Sequence, residues 1–444
     1  MRTSIAQRTP FYYGWVIVAF GFVFGAFNVG MTSWGLGVFV TPMQEELEWD
    51  RSLVFLPLLV GAIVTTPLGI IVGPWADTRH GPRILALVGI LLFGASLLYM
   101  KVAGSELGYI FIFGIVGGVG RFTVAMALVV VPKWFVRKRG IAQATVSAGF
   151  SVGPLLFPLV LQALVESVGW RDAWFIMGIA LIVLAGPGAF FIIRSPEDVG
   201  LRPDGDKEEA PPRAGAPQTP AGARGASPGP GGRVSAASEV SLTRREALHT
   251  SQFWMLVVAI GMATLAIRGM IPNFQPFFIS LGFDATTAAA SISVYAVPAI
   301  VMGFVFGGLA DRHGPQRPFL AVCSIVASGL FLVSLVSQFQ STGMMFATML
   351  YLGFGLNAFF VVSQVFVANT FGRQHLGAIR GVMQTVNNLA TFGGPWIFGV
   401  LFDLYADYAL LFGLAVAVWL VTIVLGGLVR PLRRPPVLSA PVNV

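Results

Sequence analysis

Twelve apolar runs of roughly membrane-spanning length recur along this chain, and that recurrence leaves few folds open. They lie near 14–41, 53–76, 82–101, 107–132, 140–164, 171–193, 253–279, 286–309, 317–338, 343–369, 377–402 and 407–430. About 20 apolar residues cross a bilayer core as a helix. Runs this long exceed what a barrel strand needs, and an α-helix satisfies its own backbone in lipid. The expectation is therefore an all-α membrane protein with twelve transmembrane helices. Composition agrees: 11% of residues are charged, against about 25% in soluble domains. The first run is long and has no small-residue cleavage site, so it is expected to remain as a span.

The net charge of +8 reports topology rather than a nucleic-acid partner. If the N-terminus is cytoplasmic, Arg2, Arg8, Arg79, Arg83, Lys133, Arg137, Lys138, Arg139, Arg194, Arg312, Arg317, Arg373, Arg380, Arg430, Arg433 and Arg434 fall on one side with the central-loop arginines, and only Arg51, Lys101 and Arg171 on the other. Cytoplasmic loops collect Lys and Arg, so the expected location is the inner (cytoplasmic) membrane, multi-pass, with both termini inside. The single cysteine, Cys323, excludes a disulfide within the chain, and His80, His249, His313 and His375 fall in polar connections. Nothing there points to a metal cluster, a catalytic triad or a cofactor.

The chain divides in two and repeats itself. Residues 195–250 are polar and rich in Pro, Gly and Ala, as in Ala210-Pro-Pro-Arg-Ala-Gly-Ala-Pro and Ser227-Pro-Gly-Pro-Gly-Gly. Such a segment is expected to be a largely disordered cytoplasmic linker between six-helix bundles at 1–194 and 251–434, with a tail at 435–444. After the second span comes Gly73-Pro-Trp-Ala-Asp77-Thr-Arg-His-Gly81-Pro-Arg83; after the eighth comes Gly308-Leu-Ala-Asp311-Arg-His-Gly314-Pro-Gln-Arg317. Arg139-Gly-Ile-Ala-Gln143 opens the fifth span and Arg380-Gly-Val-Met-Gln384 the eleventh, which makes Gln143 and Gln384 internal mates. A duplication of this kind reads as a transporter with its site at the interface of the halves.

The two loops resemble the signature of the major facilitator superfamily, and the whole chain fits its plan of two six-helix bundles related by a pseudo-twofold axis. Tyr13-Gly-Trp15, Lys133-Trp-Phe-Val-Arg-Lys-Arg-Gly140 and Ser147-Ala-Gly149 with Gly153 resemble the bacterial monocarboxylate and oxalate–formate porter branch. The resemblance implies that spans one, four, seven and ten line a central cavity. It also implies that Asp77 and Arg83, with Asp311 in the second copy, join a charge network that latches the bundles on the cytoplasmic side. On residue type alone, Asp77 would serve as a helix cap and Arg83 as a cytoplasmic anchor. The branch commonly carries a cation for the carboxylate in the eighth span. Here residues 288–309 have no charge and offer Tyr295 instead.

The cations lie elsewhere. Arg121 and Arg268 stand near the middle of the fourth and seventh runs, and no Asp or Glu lies at comparable depth in another run. A guanidinium keeps its proton, and placing it in hydrocarbon costs at least ~2.5–3.5 kcal/mol. A substrate anion would balance that cost; the plainer reading is satisfaction by backbone carbonyls. Neutral polar residues complete the candidate cavity: Asn28, Thr32 and Ser33 in the first span, Asn273 and Gln275 around Pro272 and Pro276 in the seventh, Asn357 and Gln364 on one face of the tenth. Gln384, Asn387, Asn388 and Thr391 form a stripe in the eleventh, matched by Gln143 and Ser147 in the fifth. Ordinary hydrogen bonding between helices is the plainer role for each of these. The run Gly114 to Gly120 lies within a span and reads as close helix packing rather than a phosphate loop.

These features predict a secondary transporter, acting as a monomer, that moves a small organic anion by exchange or with protons, with membrane lipids as its surroundings and no nucleic-acid partner. An organophosphate or inorganic-anion transporter would also want paired arginines. A non-transporting sensor or scaffold would need a folded cytoplasmic domain that the linker does not supply. An enzyme would need a nucleophile–base pair that the spans lack.

Overall fold

The computed structural model describes residues 11–76, 78–135, 138–202, 204, 244–371 and 376–429. Asp77, most of the expected linker and the C-terminal tail lie outside the described residues. Six long helices form the first half. They are α1 (Gly14–Trp34, continuing as Leu36–Leu47), α2 (Arg51–Ala76), α3 (Gly81–Tyr99), α4 (Glu106–Val130), α5 (Arg139–Val168) and α6 (Trp170–Phe190). Six more form the second: α7 (Ser251–Ser280), α8 (Ala285–His313), α9 (Gln316–Phe339), α10 (Thr342–Phe371), α11 (Leu376–Tyr405) and α12 (Tyr408–Leu428). Eleven of the twelve are long and apolar enough to cross a membrane. The other, α11, is 30 residues long and polar along its first half, where Gln384, Asn387 and Asn388 lie.

Local chemistry sets the helix ends. The side chains of Ser105, Thr250, Asp284 and Asp407 each accept a bond from a backbone N–H one turn in or less, at the starts of α4, α7, α8 and α12, and such caps satisfy donors the helix leaves unpaired. Three helices are irregular in mid-course. Backbone of α1 loosens to a π turn at Gly30–Trp34 and that of α4 at Ile110–Val116. In α7 the ladder tightens to a 3-10 turn at Ile271–Asn273, because Pro272 has no N–H to give and its ring crowds the preceding turn.

Packing repeats the duplication seen in sequence. In the first half α1 packs on α5, α2 on α4, and α3 on α4 and α6; in the second α7 packs on α11, α8 on α10, and α9 on α10 and α12. Each half encloses its own apolar core. The halves meet along α2 with α11 and α5 with α8, pairs that exchange under the same pseudo-twofold. At the Gly114–Gly120 run the helices approach closely, as expected. A methyl on Gly118 would lie 3.0 Å from the Gly61 Cα of α2, and one on Gly120 would lie 2.6 Å from the Phe93 nitrogen of α3.

One end of the molecule is closed. Among the described residues, every side-chain hydrogen bond between the halves lies at the end that carries the 47–51, 168–170 and 405–408 turns. Asp403 of α11 accepts from the backbone N–H of Arg51 and of Ser52 at 2.9 and 2.8 Å, capping α2 from the opposite half. The Arg51 guanidinium donates to Asn273 Oδ1 at 3.2 Å and to the Tyr408 hydroxyl at 2.7 Å, and lies 3.7 Å from the Phe402 ring centre. On the other seam, Gln275 donates to Gln162 and Thr286 to Glu166, at 2.7 and 2.6 Å. Two glycines permit the contact: a Cβ on Gly37 would sit 2.7 Å from the Pro272 carbonyl oxygen, and one on Gly399 would sit 2.9 Å from Ser52 Cα. This is the sealed end; the opposite one, where the turns after α2 and α8 carry Arg79 and Arg312, is the basic end.

Candidate functional site

Directly beneath the seal, Trp34 of α1 stacks on Tyr295 of α8, ring centres 4.4 Å apart. Trp34 thereby joins the apolar core of the second half. Tyr295 is close enough to Arg268 for electrostatic interaction. Arg268 projects from α7 one turn before the Pro272 break, with its Cζ 5.3 Å from the centre of the Phe360 ring on α10. Its buried Nε has no hydrogen-bond partner.

Phe360 also lines a pocket between α7, α10 and α11. Gly261 of α7, Ser363 and Gln364 of α10, and Gln384 and Asn387 of α11 line it with Phe360, and its volume is about 490 Å³ including the solvent at its mouth. Asn387 Oδ1 accepts from the Thr264 hydroxyl at 2.8 Å, which leaves the amide NH₂ available to a ligand. Gln384 donates to Asn388 Oδ1 at 3.0 Å, which leaves its carbonyl available as an acceptor.

The two arginines have different surroundings. Arg121 is 7% exposed, with its Cζ 5.3 Å from the Phe93 ring centre and 5.6 Å from that of Phe113. Both rings are fully buried inside the first half. The rings beside the two guanidiniums differ: Phe93 and Phe113 at Arg121, Phe360 at Arg268. The tight α2–α4 and α3–α4 packing at the glycine run explains this: Arg121 follows that run on the packed side of its helix. A cation–π contact supplies ~0.5–2 kcal/mol. Two rings go far toward offsetting the ~2.5–3.5 kcal/mol cost of the span position. Each guanidinium also has a buried N–H without a partner, Nη1 of Arg121 and Nε of Arg268, at a cost of ~1–3 kcal/mol, so the difference between them lies in the rings, two at Arg121 and one at Arg268.

The other predicted residues divide as well. Gln364 and Gln384 come together in the pocket, with Asn388 bonded to Gln384. Asn273 and Gln275 are instead spent on the seal, fully or nearly fully buried and bonded to the first half. Asn357 donates to the Ala299 carbonyl at 2.9 Å and ties α10 to α8. Asn28 is half-buried at the α1 π turn, where its carbonyl accepts from Thr32. Gln143, the internal mate of Gln384, is exposed on α5. Of the expected latch, Asp77 lies outside the described residues. Arg83 lies 4.4 Å over Phe190 of α6 in its own half, and Asp311 is exposed at the last turn of α8. The structure carries neither of these two across the seam.

Sequence reading missed Trp34, Phe360 and the sealing group of Arg51, Gln162, Glu166, Asp403 and Tyr408. Gln162 and Glu166 did carry a signal, since their i,i+4 spacing near the end of an apolar run places two polar groups on one helix face.

Comparison with known proteins agrees with this architecture. The sequence profile of the Major Facilitator Superfamily matches residues 22–395 and again 256–441. The chain belongs to the Major Facilitator Superfamily. Mouse monocarboxylate transporter 12 is 24% identical over 454 residues, covering 98% of this chain and 88% of that protein. Mouse monocarboxylate transporter 6 is 30% identical over 171 residues, covering 37% of this chain and 35% of its own length; the match thus spans only about a third of that relative. A bacterial homologue of the human lysosomal transporter Spinster, solved in an inward-facing and occupied conformation, superposes with a TM-score of 0.64 at 14% identity, covering 93% of this chain and 95% of its own. These relatives are named as transporters, and this Major Facilitator Superfamily member has eleven helices long and apolar enough to cross a membrane among its described residues.

Proposed function

We propose that this transporter moves a small organic anion, a carboxylate, by alternating access, and that Arg268 is its anchor. The observation that carries the reading is a guanidinium beside the seam between the halves, with one aromatic ring, an unpartnered N–H and no carboxylate among its described neighbours. An empty site of this kind resists closure, because closing strips water from an unpaired cation. A bound anion removes that penalty, which favours exchange or symport of the anion with a proton. The positive-inside pattern supports placing the sealed end outside and the basic end in the cytoplasm, so the conformation described is open inward. The fold shared with an inward-facing homologue and relatives named for monocarboxylates point the same way. A phosphate would call for a second cation at the site, and Arg121 lies between Phe93 and Phe113 of the first half.

The test is counterflow in proteoliposomes with a panel of labelled carboxylates, phosphate esters and neutral solutes. Exchange of carboxylates by wild type and its loss in Arg268→Gln is the expected result. Exchange restricted to neutral solutes, undiminished in that variant, would refute the reading.

A further inference from the structure

Three cations, Arg51, Lys101 and Arg171, lie at the sealed end, and the fold treats one of them differently. Lys101 pairs with Asp172 and Arg171 with Glu46, each at 2.7 Å. The Arg51 guanidinium has no acid among its described partners. Its Nε donates to Gln44 Oε1 at 3.3 Å, its Nη1 donates to Asn273 Oδ1 and to the Tyr408 hydroxyl, and it lies over the Phe402 ring. Asp403 is in the same seam, yet it accepts from the Arg51 backbone N–H and takes no bond from the side chain. Arg51 is 6% exposed, so among the described residues a buried cation is held by neutral groups.

Three of those four groups belong to the second half: Asn273 on α7, Phe402 on α11 and Tyr408 on α12. Parting of the halves at this end takes the three away together and leaves the guanidinium with Gln44. A carboxylate bonds a guanidinium about twice as strongly as a neutral acceptor does. An anion arriving from that side therefore outcompetes Asn273 and Tyr408, as it would not outcompete a carboxylate. Asn273 also donates to the Gly269 carbonyl at 2.7 Å, beside Arg268 in the chain. Five residues of α7 separate Asn273 from Arg268, a rise of ~7–8 Å.

Resting on the reading that the cargo is a carboxylate and that the sealed end faces outside, we propose that Arg51 is an outer capture site for the anion, reached before Arg268. The arriving carboxylate replaces the neutral acceptors on the guanidinium, so the cargo itself favours the parted state of this end. Arg268 then lies one to two turns deeper along α7.

Initial uptake rates of labelled lactate, malonate and mandelate at pH 7, in right-side-out and inside-out membrane vesicles, give a KM on each face. Arg51→Gln is expected to raise the outer KM about three- to tenfold, the fold-change of a charge-assisted hydrogen bond in a partly wet site, and to change the inner KM less. Tyr408→Phe keeps the cation and removes one competitor for it, so it should lower the outer KM. A seal with no capture role predicts otherwise: both changes weaken it, both populate the outward-open state, and both lower the outer KM. Outer KM values that move the same way in the two variants, or an Arg51→Gln value equal to wild type, overturn the proposal. If Arg51→Gln fails to reach the membrane, Arg51→Lys decides, since it keeps the charge and loses the fork: a smaller rise in outer KM is expected, and an unchanged or lower value overturns the proposal. If Arg268→Gln abolishes exchange while the outer site fails its test, the anion reading stands without it. Uptake of none of the three acids by wild type removes both.

Discussion

The two halves share one helix plan and use their central arginine in opposite ways. In the first half Arg121 is enclosed between two rings of its own bundle. In the second, Arg268 has one ring beside it, that of Phe360, which also lines the pocket. Duplication conserved the scaffold, in the repeated α1–α5 and α7–α11 pairings, without conserving the chemistry at corresponding depth. On the proposed function, such a transporter would grip its cargo from one side and the other half would close over it, where Trp34 stacks on Tyr295.

The sharpest way to break that comparison is to remove each charge in turn. Arg268→Gln should weaken anion binding by at least about 30-fold, as expected when a partly desolvated charge pair loses one member. Arg268→Lys should fall between, since it keeps the charge and loses the fork. Arg121→Gln should change affinity by less than about threefold. Equal losses at both positions, in variants that express and melt normally, would place both arginines at the cargo.

The next effect concerns how the halves meet. Gly37→Val forces side-chain atoms against the Pro272 carbonyl, and overpacking of this kind costs ~1–3 kcal/mol. The sealed conformation should lose about tenfold in population. Pulsed EPR between labels at Glu48 and Ser341, exposed on opposite halves of the sealed end, should show a longer distance. Cys323 is fully buried and should stay unlabelled. An unmoved distance distribution would show that the seam tolerates the bulk.

A smaller change sharpens the reading of Arg121. A buried charge replaced by an apolar residue of similar volume is often neutral or stabilising, so Arg121→Met should hold or raise Tm with transport retained. A fall in Tm of several degrees would show that the guanidinium is structurally required.

The smallest effect lies in the first half's own fastening at the sealed end. Glu46 accepts from Arg171 at 2.7 Å and from Trp170 at 2.6 Å. These bonds, that from Arg171 first, hold its carboxyl below the ordinary glutamate range. A depressed carboxyl pKa stabilises above the unfolded-state value near ~4.3 and loses that contribution as pH falls through the folded value. The carboxylate is half exposed, so solvent screening keeps the gain small. Glu46→Gln should lower Tm by about 1–3 °C at pH 6, with the difference from wild type vanishing below about pH 4. A difference that persists at low pH would mean that shape, rather than charge, does the fastening.

Most of the fold was legible because lipid imposes length. The run near 107–132 became Glu106–Val130, and that near 343–369 became Thr342–Phe371. Even the irregularity in α7 was visible in Pro272. The site was less legible, because depth along a span says nothing about which way a side chain points. Arg121 has the right depth and faces its own bundle. Arg51 reads as a loop marker of topology, yet is 6% exposed at the seam, since its partners Asn273, Asp403 and Tyr408 come from the other half, far away in sequence. Gln384, which lines the pocket with Phe360, was singled out by an internal repeat; Phe360 was not, because one phenylalanine among 37 carries no mark.

The break in α7 gives that helix two allegiances. Residues Ser251–Met270 pack with α11 and α12, while Asn273 and Gln275, just beyond Pro272, are bonded to the first half. Arg268 is one turn from the joint, so any parting of the outer contacts pulls on backbone adjacent to the cation. Pro272→Ala would let the ladder run through and stiffen the joint. It should slow exchange more than it weakens binding, and an exchange rate equal to wild type would deny the joint this part. On the proposed function, a crank in α7 of this kind would let the cargo sense the state of the gate through a few residues of main chain, with no separate relay between them.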